Sequence, residues 1–402
     1  MTDPRNATEL PRTSVRARLI ELAGLFLKLG TISFGGPAAH IALVESEIVN
    51  RRQWVTKQQF LDMLGAANLI PGPTSTEMAI NTGFVRAGWA GLCVAGAAFI
   101  IPAAVITGAF AWAYVRFGSL PQTVSVLQGI KPAVIALIAI AIWRLGKTAL
   151  KSIDLVALGV AALAAFLLGI NPILILFVGG LIGMAVRKFA ASGTIATLMV
   201  PSIFGSSSLA RWQLLPAAVL TAGVVAVRPS LVRIALFFLK VGAVLYGGGY
   251  VLLAFLEHGL VQQHAWLTQQ QLLDAIAIGQ FTPGPVLSTA TFIGYLLGGV
   301  PGAAVATVGI FLPSFFYVAL LAPVLFRLRQ SAWIAAFLDS VNVCAVALMT
   351  CVTVRLAADA LRGWSTWLIG SVAIVVLLRW KVNSAWIVLG GGIMGLLFSA
   401  IR

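Results

Sequence analysis

The stretch FLKLGTISFGG at residues 26–36 returns as FLKVGAVLYGG at residues 238–248, and the correspondence then runs on at a constant offset. Glu45 is answered by Glu257, Trp54 by Trp266, Thr56 by Thr268, Asp62 by Asp274, and PGP at 71–73 by PGP at 283–285. Further along, Arg144-Leu145 is matched by Arg355-Leu356 and Asn171 by Asn383. A unit this long is not a solenoid repeat. Because it is also mostly apolar, the duplication points to a membrane transporter built from two related halves.

Composition agrees. The chain has 402 residues, 60% hydrophobic and 10% charged, far more apolar than a soluble domain. Apolar runs at 87–114, 124–143, 155–170, 173–186 and 368–378 suit a hydrocarbon core about 30 Å thick. The fold class read from this is an all-α polytopic membrane protein. The net charge of +15 is spread between apolar segments rather than gathered on one face, which marks topology and argues against nucleic acid as a partner. Cys93, Cys344 and Cys351 all fall inside apolar segments, giving neither a disulfide framework nor a metal site.

Four regions follow. Residues 1–18 form an arginine-bearing N-terminal segment without an apolar run, expected in the cytoplasm. Residues 19–188 are the first repeat, 189–230 a linker with one apolar segment at 214–227, and 231–402 the second repeat. A single crossing between repeats that each cross an even number of times inverts the second. The loop charges fit inversion: Arg51, Arg52 and Lys57 face Gln263, His264 and Gln269, whereas the neutral turn at 169–172 faces Arg379 and Lys381. The C-terminus is then periplasmic and the chain lies in the cell inner membrane. Glycine breaks at 35–36 and PGP at 71–73 make two hairpins per repeat, and the count is about 13 membrane segments, fewer where hairpins are re-entrant.

The breaks carry the chemistry. Pro71 is expected to end the arm 58–69, and Pro73, at a first helical position, to start a new helix. The amides of Thr74, Ser75 and Thr76 then face the break with the positive end of the helix dipole behind them, which suits an anion; a plain proline kink is the bland alternative. Gly35, Gly36 and Pro37, and Gly247 and Gly248, expose backbone in the same way, and Gly72, Gly284, Pro283, Pro285 and Ser288 complete the two expected half-sites. Lys28 and Lys240 precede the glycine breaks by about two turns, either to draw an anion or to snorkel. Among the 12 acidic residues, Glu45 and Glu257, and Asp62 and Asp274, recur for ion pairing or proton coupling. Glu77, just after PGP, is replaced by Thr289 in the second repeat and is the sharper proton-linked candidate. No P-loop or nucleophile motif is present, so neither ATP-driven transport nor enzymatic activity is expected, and no cofactor is implied.

The segments FLKLGTISFGGPAAHI, LIPGPTSTEMAINTGF and GQFTPGPVLSTATFIGYLLGG closely resemble the chromate ion transporter family in its long, two-repeat form. The resemblance spans almost the whole chain. It implies export of chromate, with sulfate as the competing analogue and chromate resistance as the outcome. The motif residues it designates include His40 besides the glycines and prolines above. The expected partners are the transported chromate or sulfate and the lipid bilayer, with a homodimer left open.

Overall fold

A computed structural model describes residues 14–191, 229–246, 249–321, 331–380 and 382–401. Among these residues the secondary structure is entirely helical. The expected linker segment at 214–227 and the glycines Gly247 and Gly248 lie outside them.

The first half opens with α1 (Val15–Ile32), capped by Ser14, whose hydroxyl accepts from the Ala17 amide. After the break at Ser33–Gly36 comes α2 (Pro37–Glu45), which widens into a π-type turn (Ser46–Arg51). Thr56 and Gln59 form a reciprocal capping box that starts α3 (Lys57–Ala67). PGP then leads into α4 (Thr74–Phe117), followed by α5 (Pro121–Ala149), α6 (Ile153–Leu167) and α7 (Pro172–Ala191). The second half repeats the series with α8 (Leu231–Val244), α9 (Leu252–Leu256), a π-type turn (Glu257–Gln263) and α10 (Gln269–Phe281), itself started by a Thr268–Gln271 capping box. It ends with α11 (Thr289–Leu321), α12 (Ala332–Ala360), α13 (Trp364–Arg379) and α14 (Ser384–Ala400).

Two details of the breaks differ from the sequence reading. The arm α3 stops at Ala67 with Asn68 as its C-cap, four residues before Pro71, so Pro71 does not end it. Pro73 is the N-cap of α4, in extended conformation (φ −81°, ψ 107°), and Thr74 is the first helical residue. A proline without an amide hydrogen loses nothing at either position, which is why the register slips by one without cost. In the second half the turn Val286–Ser288 intervenes as a short 3₁₀ segment before α11.

Both long helices that follow PGP are bent at matching points. In α4, Ala87 (φ −146°) precedes Gly88 (φ 61°, ψ −146°); in α11, Gly298 (φ −146°) precedes Gly299 (φ 62°, ψ −151°). A side chain disfavours that left-handed, extended combination, so glycine marks where each hairpin arm ends and the longer helix begins.

Packing exchanges partners between the halves. Helix α1 lies on α4 and α8 on α11, each within its own half, while α5 packs on α13 and α14 and α12 packs on α6 and α7. The central contacts are α4 with α11 and α5 with α12. Phe26 and Phe99 meet edge to face at 6.3 Å in the first core, and Phe238 is likewise fully buried in the second. Outside, large apolar side chains stand exposed, among them Ile153 at 79%, Val300 at 71% and Trp386 at 69%. Water would not tolerate such a surface and lipid does. Among the described residues, helices at Thr74–Phe117, Pro121–Ala149, Val286–Leu320 and Trp333–Ala360 are long and apolar enough to cross a bilayer, and four shorter apolar helices accompany them. The chain is a helical membrane protein.

Candidate functional site

The two hairpin breaks meet between the halves. The Gly72 amide donates to the Leu245 carbonyl at 2.7 Å, and the Gly284 amide donates to the Ser33 carbonyl at 2.8 Å. Ser33 and Leu245 are the C-caps of α1 and α8, so each PGP turn satisfies the end of the other half's first helix. His40, fully buried, also places Nε2 3.0 Å from the Ser33 carbonyl; a carbonyl only accepts, so the ring proton is on Nε2.

A cavity of about 900 Å³ opens beside the first break. Gly35, Gly72 and Thr74 line it, as does Asn383, whose Oδ1 lies 3.6 Å from where a Cβ on Gly35 would sit. Its lining also includes Arg144 of α5 and Lys151, two residues beyond that helix, with Asp339 and Asn342 from α12. Lys151 is held by Asp339 at 3.1 Å. Arg144 is exposed and has no ion-pair or hydrogen-bond partner among the described residues. Of the first amides of α4, that of Thr76 is taken by the Pro73 carbonyl at 2.8 Å, which leaves Thr74 and Ser75. The cavity thus offers one uncommitted guanidinium, helix-end amides and side-chain amides, the donor set that suits a compact oxyanion.

The other expected residues are dispersed. Gly72 and Gly284 line the meeting point, but their amides are committed to the protein. Ser75 is buried, and Thr76 and Ser288, its counterpart, are buried with hydroxyls that have no partner. Pro37 begins α2 behind Gly36 (φ 80°), and Pro283 and Pro285 flank Gly284 as Pro71 and Pro73 flank Gly72. Lys28 lies outside the cavity's lining: half-exposed, it pairs with Glu47 at 3.0 Å, and Glu47 also takes Arg51 at 3.1 Å and Arg52 at 3.4 Å. Lys240 lines a separate cavity of about 390 Å³ with Arg233, His258 and His264.

The acids have separate fates. Glu77 is completely buried with neither carboxylate oxygen partnered, and Oε1 crowds the place a Cβ on Gly72 would take, beside Ser314 Oγ. Asp274 forms a buried ion pair with Lys131 at 2.8 Å and accepts from the Tyr114 hydroxyl at 2.9 Å. Asp62 accepts from Gln58 at 3.2 Å within α3. Glu257 is buried, accepts from Gln262 at 2.7 Å and lies 3.6 Å from Arg355. Glu45 is half-buried and has no partner among the described residues.

Arg144, Asn342 and Lys131 were not among the expected site residues. Arg144 was visible only as one of many repeat matches. Lys131 stands where the second half has Asn342, so recurrence gave no signal for either.

The sequence model of the chromate transporter family matches residues 20–184 and again residues 232–396. The chain belongs to the chromate transporter family. A chromate transport protein of Cupriavidus metallidurans is 33% identical over 387 residues, covering 94% of this chain and 92% of the relative. A probable chromate transport protein of Synechococcus elongatus is 33% identical over 367 residues, with 91% of each chain covered. An uncharacterised transporter of Bacillus subtilis is 28% identical over 162 residues, 39% of this chain but 91% of its own, so it is about one repeat long. No solved structure matches the chain. The family is one of transporters.

Proposed function

We propose that the chain is a secondary transporter that exports chromate, a tetrahedral oxyanion, from the cytoplasm across the cell inner membrane and so confers chromate resistance. The observation that carries this is the cavity beside the first PGP turn, whose lining holds both Arg144, without a partner among the described residues, and Thr74, the first helical residue of α4. The names of the family and of its relatives supply the anion. The repeats, 19–188 and 231–402, are inverted about the meeting of Gly72 with Leu245 and Gly284 with Ser33, the linker supplies the odd crossing, and about 13 segments enter the membrane. Support comes from the exchanged loop charges and from the reciprocal packing of α5 and α12.

Exposed Arg144 and Lys151 line the cavity together with Trp380, which follows Arg379 in the chain. Positive residues of that kind mark the cytoplasmic side, so this conformation faces inward, with the N-terminus in the cytoplasm and the C-terminus outside. Export has physical support too. Moving a dianion out of a cell that is negative inside gains roughly 4.6 kcal/mol per 100 mV, at about 2.3 for each charge. At about 1.4 kcal/mol per tenfold, that sustains roughly three orders of magnitude of gradient without an obligatory proton.

A sulfate permease, with or without proton coupling, is the second reading, since backbone amides treat two tetrahedral dianions alike and Glu77 is a buried carboxyl without a partner. Labelled chromate and sulfate fluxes in everted vesicles, with the potential clamped, separate the two. Chromate accumulation driven by an interior-positive potential is expected; sulfate flux unaffected by excess chromate overturns the chromate assignment.

A further inference from the structure

The same two residues recur in each half as a glutamate and an arginine, yet they are arranged differently. Glu257, at the start of the π-type turn after α9, is 2% exposed and lies 3.6 Å from Arg355 on α12. Gln262 donates to the same Glu257 oxygen, and the Arg355 guanidinium rests 5.4 Å over the Phe166 ring, so both members of the pair are held. In the first half the counterparts are Glu45, at the end of α2, and Arg144 on α5. Neither has a partner among the described residues, and Arg144 stands instead in the lining of the 900 Å³ cavity.

Like residues on like elements should make like contacts unless the two halves are in different conformations. We propose that Glu45 with Arg144 and Glu257 with Arg355 are paired gates that close in turn: the second is shut and the first open in this conformation, and exchange of the halves' conformations shuts the first and frees the second. The inference rests on the reading above of a secondary transporter caught facing inward, which must also open to the other side by alternating access. Two features make the exchange physically reasonable. The closed gate is incompletely satisfied, since Glu257 Oε2 has no partner although it is buried, so its release has little to break. The open gate has one acid and one base, each uncommitted. Asp339, an acid in the cavity's lining, is already engaged with Lys151. An anion bound at Arg144 would occupy the guanidinium that Glu45 needs, so the inward gate closes only when the anion has moved past it or left. Arg144 and Arg355 are therefore positioning residues for the conformational step.

The test uses the full chain lacking Cys93, Cys344 and Cys351, with one cysteine introduced at Ala141, a cavity residue one turn from Arg144. Labelling by an impermeant thiol reagent from the cytoplasmic face reports how often the cavity is open. Glu45→Gln weakens the shut form of the inward gate and Glu257→Gln weakens the shut form of the outward gate, so Glu45→Gln should label at least about fivefold faster, at the lower end of typical two-site couplings. The exchange Glu257→Arg with Arg355→Glu should restore the parent rate. Equal labelling of the two glutamine variants, or no rescue by the exchange, overturns the gates. Chromate added to the parent separates the causes: if it changes Ala141→Cys labelling while the variants are equal, alternating access stands and the gates fall, and if chromate has no effect either, both readings fall.

Discussion

Gly72 gives its amide hydrogen to the carbonyl of Leu245, 2.7 Å away in the other half of the chain. The bond has a mirror in Gly284 and Ser33, so each proline-glycine-proline turn is anchored by the half to which it does not belong. A turn placed this way is shaped by tertiary contact as much as by its own prolines.

Gly72 has φ +146° and Gly284 φ +87°, and a Cβ on Gly284 would lie 2.6 Å from that of Ala103. Gly72→Ala would drive its methyl into Glu77 Oε1 and Ser314 Oγ. Each substitution should cost about 2 kcal/mol or more, combining backbone strain with the clash. Gly24→Ala, in α1 with nothing within 4 Å, is the control and should be neutral or stabilising. Thermal unfolding of the purified protein in detergent reads all three, and an unchanged Gly72→Ala would contradict the turn geometry.

Arg144 and Lys28 should separate by function. Removing the free guanidinium in Arg144→Gln forfeits a charge-assisted bond of about 1.5–3 kcal/mol, or at least about tenfold in apparent anion affinity. Lys28→Gln leaves Glu47 with Arg51 and Arg52 and loses a half-exposed ion pair worth about 1 kcal/mol or less. Concentration dependence of chromate flux is the measurement. A larger effect at Lys28 would move the anion path out of the cavity.

Lys131 and Asp274 form a pair with side chains only 6% and 4% exposed. Either Lys131→Met or Asp274→Asn alone strands the remaining group and should destabilise by about 3–5 kcal/mol. The double variant should recover much of that loss, because no isolated charge stays buried. Unfolding midpoints arranged as a double-mutant cycle give the coupling, and simple additivity would mean the pair is not buried as described.

Opposite orientation of the halves is checked at Gln53 and Ala265, equivalent exposed residues that share the same left-handed backbone, φ 52° and 50°. Single cysteines there, in a background without the native three, should react with impermeant reagent from opposite faces of the membrane. Reaction from one face only would make the halves parallel.

Much of the fold was legible because the chain states it twice. The repeated Thr56 and Thr268 both start helices with capping boxes, the PGP breaks interrupt helices in both halves, and the glycine break does so in the first. The site was less legible. Sequence identifies which amides a helix start leaves free in principle, but it cannot show that Gly72 and Gly284 spend theirs on Leu245 and Ser33. Lys28 stood out, for drawing an anion or for snorkelling, because Lys240 repeats it; its partner Glu47 gave no such signal, since Gly259 stands in its place in the second half. Arg144 gained its meaning from the opposite circumstance, a recurrence whose two copies are found in different surroundings.

The glycine bends in α4 and α11 turn each PGP-proximal arm into a lever. From Thr74 to Ala87 the arm is about 20 Å long at 1.5 Å per residue. With Gly88 as fulcrum, a swing of about 10° carries the Thr74 amide through roughly 3.5 Å, the reach of one hydrogen bond. A small rotation at the bend is thereby magnified at the tip into the length of one hydrogen bond, enough to make or break a contact with an anion at the proposed site.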